Sequence, residues 1–192
     1  LCALLFAHSS HAAPSYKNLE AEFSALQADK QKSLQREPWE KVQAKFNAFV
    51  KASPKSADAP KAAFMSARCL EEIALRSHSS RDFRNAAALF AKVAENYSKT
   101  SQAGEALWHK AEIEYKYLKN NAAAQQTLAL LLKKTQDNKL KNKAKSLEAK
   151  IKLEGTEEKQ GSGSSGSSSG SGNQAGASSA AGGTPSTAGK PQ

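Results

Sequence analysis

A short motif that recurs at a constant interval constrains the fold of this chain more than any other feature. The stretch from Ser53 to Phe64 is echoed by the stretch from Tyr97 to Trp108, at an offset of 44 residues (108 − 64). The matching positions are Ser53-Pro54-Lys55-Ser56, Ala59, Ala62 and Phe64, then Tyr97-Ser98-Lys99-Thr100, Ala103, Ala106 and Trp108. A fixed period of about 34–47 residues with helical patterning is typical of α-solenoids. The interval therefore predicts a stack of helical hairpins.

Apolar residues outside the motif follow the same interval, and their local spacing is close to 3.6 residues. Trp39 maps onto Phe83, and Phe46 maps onto Phe90. No segment between the two ends alternates like a strand. The spacing predicts seven helices, at 16–35, 38–52, 59–76, Phe83 to Tyr97, 101–118, around Leu128 to Leu132, and Leu140 to Ile151. Asp58 is expected to cap the third helix, with Pro60 in its first turn.

The last pair of helices repeats the preceding pair at a shorter offset of 38 residues (Phe90 to Leu128). The extra residues of the earlier interval fall in the polar loop that begins at Ser77. The predicted fold is therefore all-α, with about three tetratricopeptide-like helical hairpins after an extra N-terminal helix. Three repeats are about the smallest number that buries a continuous core.

The two ends of the chain differ in composition from its middle. Residues 1–13 join a short apolar run to small residues, with Ser10-His11-Ala12 as a cleavage-like site, as at the end of a secretory signal. From Gly161 onward the chain is almost wholly Gly, Ser, Ala and Thr, a composition typical of flexible linkers. We therefore divide the chain into a signal remnant at 1–13, a helical-repeat domain at 14–154 and a disordered linker at 155–192.

A signal of this kind implies a periplasmic or otherwise exported protein. Cys2 would leave with the signal, so Cys69 would remain alone and is expected to be a small buried apolar residue. The apolar run at the start is too short for a transmembrane helix, which needs about 20 apolar residues. We therefore expect no membrane span, and whether export is soluble or lipid-anchored stays open.

The residues given offer no catalytic constellation. His8 and His11 would leave with the signal, and the rest of the chain has no His pair at metal-ligand spacing, no paired-Cys pattern and no glycine-rich phosphate loop before the linker. His109 is interpreted as an amphipathic surface or groove residue. The acidic residues of the third and fifth helices, Glu71, Glu72, Glu112 and Glu114, are interpreted as ordinary surface acids. We expect no cofactor or metal in this chain, and its own residues do not indicate an enzyme.

The net charge of +10 lies almost entirely in the helical middle of the chain. A basic patch is predicted near the last helix, from Lys133, Lys134, Lys139, Lys141, Lys143 and Lys145. Basic stripes can neutralise phosphates, but this one has no interleaved aromatic residue, and an exported protein rarely meets nucleic acid. Nucleic acid is therefore not expected as a partner. A solvated helix face and attraction to an anionic envelope polymer or lipid surface both remain open.

The repeats resemble those of exported tetratricopeptide proteins, which read roughly Tyr-Pro-x-Ser, then Ala, then Ala-Leu and an aromatic. The copy that starts at Tyr97 has Ser98 in place of the proline, and the third copy has Gln136 there. The order of signal, leading helix with Arg36 and Trp39 near its end, repeats and linker resembles the N-terminal region of bacterial N-acetylmuramoyl-L-alanine amidases. That resemblance implies zinc ligands and a catalytic Glu only in a further C-terminal domain.

Three functions are compatible with the sequence. The first is an interaction module that positions a tethered peptidoglycan amidase on the cell wall or on an envelope partner. The second is a stand-alone scaffold or assembly factor of the envelope, and the third is a basic anchor to anionic wall polymers. Trp108, His109, Lys110 and Tyr115 are the candidate partner-binding residues, on a concave face made by the inner helices. The partner's identity and the oligomeric state are not specified by the sequence.

Overall fold

The computed structural model describes residues 15–161, with side chains as far as Gly155, and this part of the chain is all-helical. Its helices are α1 (Tyr16–Ala28), α2 (Arg36–Ala52), α3 (Ala59–Ser77), α4 (Ser80–Asn96), α5 (Ser101–Lys116), α6 (Asn121–Lys134) and α7 (Asn138–Gly161). No strand occurs within residues 15–161. The predicted all-α class with helical hairpins is confirmed. The predicted signal remnant and most of the predicted linker lie outside the described residues.

The first helix is shorter than the sequence predicted. It ends at Ala28, and a 3-10 turn at Lys32–Leu34 follows instead of a continuous helix to residue 35. The carboxylate Oδ1 of Asp29 accepts hydrogen bonds from the backbone N–H groups of Gln31 (3.0 Å) and Lys32 (2.9 Å). Because Asp offers the backbone this alternative to helical bonding, the chain leaves the helix there.

Two other predicted boundaries differ from the structure. Asp58 occupies the cap position of α3, but its side chain makes no capping hydrogen bond and instead accepts one from Lys61 Nζ (3.0 Å). Helix α7 continues to Gly161, so the domain boundary placed at residue 155 falls inside a helix. A single glycine in a helix interior costs only about 1 kcal/mol, so Gly155 does not end α7.

Each helix packs against the next one in the chain, and the core is built from the positions that the repeat matched. Trp39, Phe46 and Phe90 have no exposed surface, and Phe83 is only 3% exposed. Burying a large apolar side chain contributes about 1.5–3 kcal/mol, so each of these residues adds substantially to the stability of the fold. Leu70 packs against both the N-terminal and the C-terminal part of the core and joins them.

An ion pair connects the second and fourth helices. Arg36 Nη1 and Nη2 donate to the carboxylate of Asp82 at 2.9 and 3.2 Å, which links the start of α2 to the start of α4.

Cys69 is fully buried, as predicted, and burial raises the pKa of its thiol. Within residues 15–161, no helix combines the length and apolar character that crossing a membrane requires.

Candidate partner-binding groove

Alternate helices of the stack touch one another directly. Helix α3 contacts α5, and α5 contacts α7, although another helix separates each pair along the chain. A stack of hairpins curves toward the row whose helices approach most closely, so α3, α5 and α7 form the inner row. The fifth and seventh helices thus bring the two predicted functional regions side by side.

A groove of about 500 Å³ runs between α5 and α7, and we call it the α5–α7 groove. Its lining residues are Trp108, Glu112 and Lys116 from α5, with Lys139, Asn142, Lys143, Ser146, Leu147 and Lys150 from α7. Trp108 is half-buried, and Leu147 is 8% exposed. The groove therefore has an apolar floor and basic side chains around it.

Lysines approach the aromatic rings of this region. Lys143 Nζ lies 5.8 Å from the centre of the Trp108 ring, within the range of a cation–π interaction. Lys150 Nζ lies 5.6 Å from the centre of the Tyr115 ring, next to the groove. The Tyr115 hydroxyl donates to Glu154 Oε1 at 2.6 Å, so Tyr115 ties α5 to the far half of α7.

The groove carries a surplus of positive charge. Four lysines line it, and Glu112 is the one acidic residue in the lining. Lys116 pairs with Glu112, and the hydrogen bond between them raises the pKa of Lys116. Among the described residues, Lys139, Lys143 and Lys150 form no ion pair with an acidic side chain. An anionic ligand would therefore meet cations that have no carboxylate partner in the described structure.

The predicted basic patch does not form one surface, because its lysines on α7 lie on two different sides of that helix. At about 100° per residue, Lys139 and Lys143 lie on one side of α7, and Lys141 and Lys145 lie on the other. Only Lys139 and Lys143 line the α5–α7 groove. Lys133 and Lys134, at the end of α6, are exposed and do not line it either. The structure thus places two of the six predicted lysines in the groove.

His109 lies in the contact between α3 and α5. Its ring stacks on Phe90, with centroids 5.1 Å apart and planes 14° from parallel. Its Nδ1 lies 3.0 Å from Glu71 Oε1, and its Nε2 lies 3.3 Å from Arg68 Nη1. Because both ring nitrogens and one ring face have protein partners, His109 joins neighbouring helices and does not line the α5–α7 groove.

The interpretation of three acidic residues as surface groups was wrong. Glu71, Glu72 and Glu114 are 8%, 6% and 8% exposed. Glu72 accepts hydrogen bonds from Arg76 Nη1 (2.6 Å) and from Gln27 Nε2 of α1 (3.2 Å). A buried carboxylate is tolerated only when it is paired in this way, and the sequence does not show that the partners converge.

Lys110 points away from the groove that Trp108 lines. Its Nζ donates to Glu114 Oε1 and to Thr127 Oγ1 of α6, both at 2.6 Å. Its side chain is 23% exposed. Of the four predicted partner-binding residues, Trp108 therefore lines the groove, Tyr115 adjoins it, and His109 and Lys110 serve contacts between helices.

Sequence reasoning missed several residues of the groove. Lys150 lies 11 residues after Lys139 and Leu147 lies 4 residues after Lys143, so all four fall on neighbouring parts of the same helix face (150 − 139; 147 − 143). The helical period of α7 could have found Lys150. The pairing of α7 with α5, which brings in Glu112 and Lys116, depends on the tertiary structure alone.

Within residues 15–155, no cluster of three or more His, Cys, Asp or Glu side chains could hold a metal ion. No family model and no curated protein matches this chain. The geometry of the groove is therefore the basis on which function is inferred.

Proposed function

We propose that this chain is a non-catalytic helical-repeat interaction module of an exported bacterial cell-envelope protein, and that the α5–α7 groove holds its partner. The observation that carries the proposal is the placement of half-buried Trp108 beside Lys139 and Lys143 on the inner row of helices. Large aromatic side chains that become fully desolvated in a complex contribute much of the affinity of protein interfaces. Lysines around such a side chain add attraction and orientation.

The proposed parent is a peptidoglycan-cleaving N-acetylmuramoyl-L-alanine amidase, in which this module would position a catalytic domain. The support is the resemblance of the order of segments: a signal-like start, a leading helix followed by Arg36 and Trp39, repeats and a Gly/Ser-rich linker. Zinc would belong to the catalytic domain and not to this module. The partner would be an envelope protein or the cell wall itself.

Two alternatives remain as second candidates. A stand-alone periplasmic scaffold would use the same groove without any tethered enzyme. A basic anchor to anionic wall polymers is favoured by Lys139, Lys143 and Lys150, which form no ion pair with an acidic side chain among the described residues. An anchor of that kind would lose affinity steeply with added salt, because exposed charges are screened over about 10 Å at 0.1 M ionic strength.

The module is tested by binding of the full chain to purified cell walls and to envelope proteins, each with Trp108→Ala beside the wild type. We expect retention by at least one of these fractions, and we expect Trp108→Ala to reduce it without loss of helical circular dichroism. Equal retention of the two proteins would contradict a role for the groove. The amidase parent is tested separately by reading the gene past the codon for Gln192, where a stop codon would remove it.

A further inference from the structure

We propose that the ligand of the α5–α7 groove is an acidic polypeptide segment that carries an apolar side chain among its carboxylates. This inference rests on the proposed function and names the chemistry of the partner. It follows from the charges of the groove, from their spacing along α7 and from the apolar floor between the two helices.

The charge of the groove selects an anionic ligand. Lys116, Lys139, Lys143 and Lys150 stand against Glu112 alone, a surplus of three positive charges (4 − 1). Glu112 is already paired with Lys116, so it competes little with the carboxylates of a ligand for the other lysines. Complementary charge of this kind speeds association and fixes the register of a bound chain.

The spacing of the lysines matches side chains on a polypeptide. Lys139 and Lys143 are one helical turn apart, about 6 Å along the axis of α7. Carboxylates at positions i and i+4 of a helix, or at alternate positions of an extended chain, recur at about the same distance. Lys150 lies about 10 Å further along α7, which extends the row for a longer acidic segment.

The floor of the groove selects against a polyanion without apolar groups. Trp108 and Leu147 line the groove together with Lys116 of α5 and the lysines of α7, and part of the Trp108 side chain stays exposed. An apolar side chain that covers this surface would gain free energy in proportion to the apolar area that it removes from water. A peptide supplies both carboxylates for the lysines and an apolar side chain for the floor, so it can contact both parts of the groove.

Two other occupants fit the groove poorly. A second copy of the chain would bring its own net charge of +10 to a basic surface. The Gly/Ser-rich part of the chain after Gly161 contains no acidic residue, and its only charge is Lys190. Like charges repel, so the ligand belongs to a different and acidic molecule.

Tryptophan fluorescence of the full chain provides the test. The chain has two tryptophans, and Trp39 is fully buried, so Trp108 is the one that reports on the groove. Three probes would be titrated: the blocked peptide EEFEELEE, the equally charged peptide EESEESEE, and dextran sulfate. Trp108→Phe should abolish the response while leaving the signal of Trp39.

We expect saturable binding of EEFEELEE that is about tenfold tighter than that of EESEESEE, equivalent to about 1.4 kcal/mol. Lys139→Gln/Lys143→Gln should weaken it by about tenfold. The matched variant Lys141→Gln/Lys145→Gln removes the same charge from the other side of α7 and should leave affinity unchanged within about twofold. Far-UV circular dichroism of each variant controls for folding.

Four results would overturn the inference. Equal affinity for the two peptides would make the apolar floor irrelevant, and equal loss in the two lysine variants would make the effect one of net charge. Tighter binding of dextran sulfate than of EEFEELEE would indicate a polymer anchor. If EEFEELEE does not bind but Trp108→Ala still reduces retention by cell walls or envelope proteins, the peptide proposal fails and the interaction module stands.

Discussion

Substitution of Lys110 by Met tests the structural role of this residue in the contact between α5 and α6. Lys110, Glu114 and Thr127 form a closed set of hydrogen bonds, in which Thr127 Oγ1 also donates to Glu114 Oε2 at 2.7 Å. Glu114 is 8% exposed and Thr127 is 4% exposed. In the Met variant the carboxylate of Glu114 would stay buried with the Thr127 hydroxyl as its remaining side-chain donor. The variant is therefore expected to destabilise the fold.

The size of the effect follows from the exposure of the ion pair. Removing one partner of a fully buried pair costs about 3–5 kcal/mol, whereas exposed pairs contribute about 0–1 kcal/mol. The Lys110 side chain is 23% exposed, so water can reach part of the space that it leaves. We expect a loss of about 2 kcal/mol, or about 5 °C in Tm for a domain of this size.

Urea unfolding followed by far-UV circular dichroism measures this loss as a lower midpoint at an unchanged m-value. Lys116→Met is the control, because Lys116 is 50% exposed and its loss should cost less than about 1 kcal/mol. Lys110→Met/Glu114→Leu/Thr127→Val removes all three polar groups together and should be more stable than Lys110→Met alone. If Lys110→Met and Lys116→Met lose the same stability, Lys110 is not a packing residue and becomes available for a partner.

Two further predictions concern other contacts between helices. The guanidinium of Arg36 lowers the pKa of Asp82 below its ordinary 3.8, so this pair stabilises the fold above about pH 4 and the contribution is lost as the pH falls through the lowered pKa. We expect Asp82→Asn to cost about 1 kcal/mol at pH 7 and to flatten the decline in Tm below about pH 4; an unchanged decline would contradict the role of the pair. A Cβ on Gly104 would lie 3.0 Å from Leu140 Cδ2, so Gly104→Ala should lower the urea midpoint despite a gain of about 1 kcal/mol in helix propensity. A higher urea midpoint would show that Leu140 and the start of α7 can shift to accommodate the added methyl group.

The sequence predicted the helices well because the apolar residues that recur at the helical period of about 3.6 are the ones that the fold buries. Trp39 and Phe83 occupy matched positions of the 44-residue interval, and both are buried. The interval could not reveal where side chains interrupt a helix. Asp29 ends α1 through hydrogen bonds to two backbone N–H groups, and such local competition depends on geometry rather than on apolar spacing.

The candidate site was predictable only in part. Trp108 and Tyr115 could be chosen from the sequence because large aromatic residues on an inner helix are frequent contact residues. Lys110 and His109 look equally available in the sequence, yet their partners come from α6 and α3 and occupy them. Contacts between residues distant in the chain decide which polar side chains remain open to a ligand, and one sequence does not record them.

The lysines of α7 show why charge alone is a poor guide to a binding surface. Among the described helices, α7 packs mainly on α5 and α6, and a helix at the edge of a repeat array needs a polar outer face to stay soluble. Lys141 and Lys145 lie on the side of α7 away from the groove, where Lys145 is exposed and Lys141 is half-buried. Lys139 and Lys143 are exposed too, but they line the groove with Trp108, and Lys143 Nζ lies over its ring. Because the two pairs have the same charge and lie on the same helix, a difference between their variants would measure recognition in the groove and not solvation of the helix.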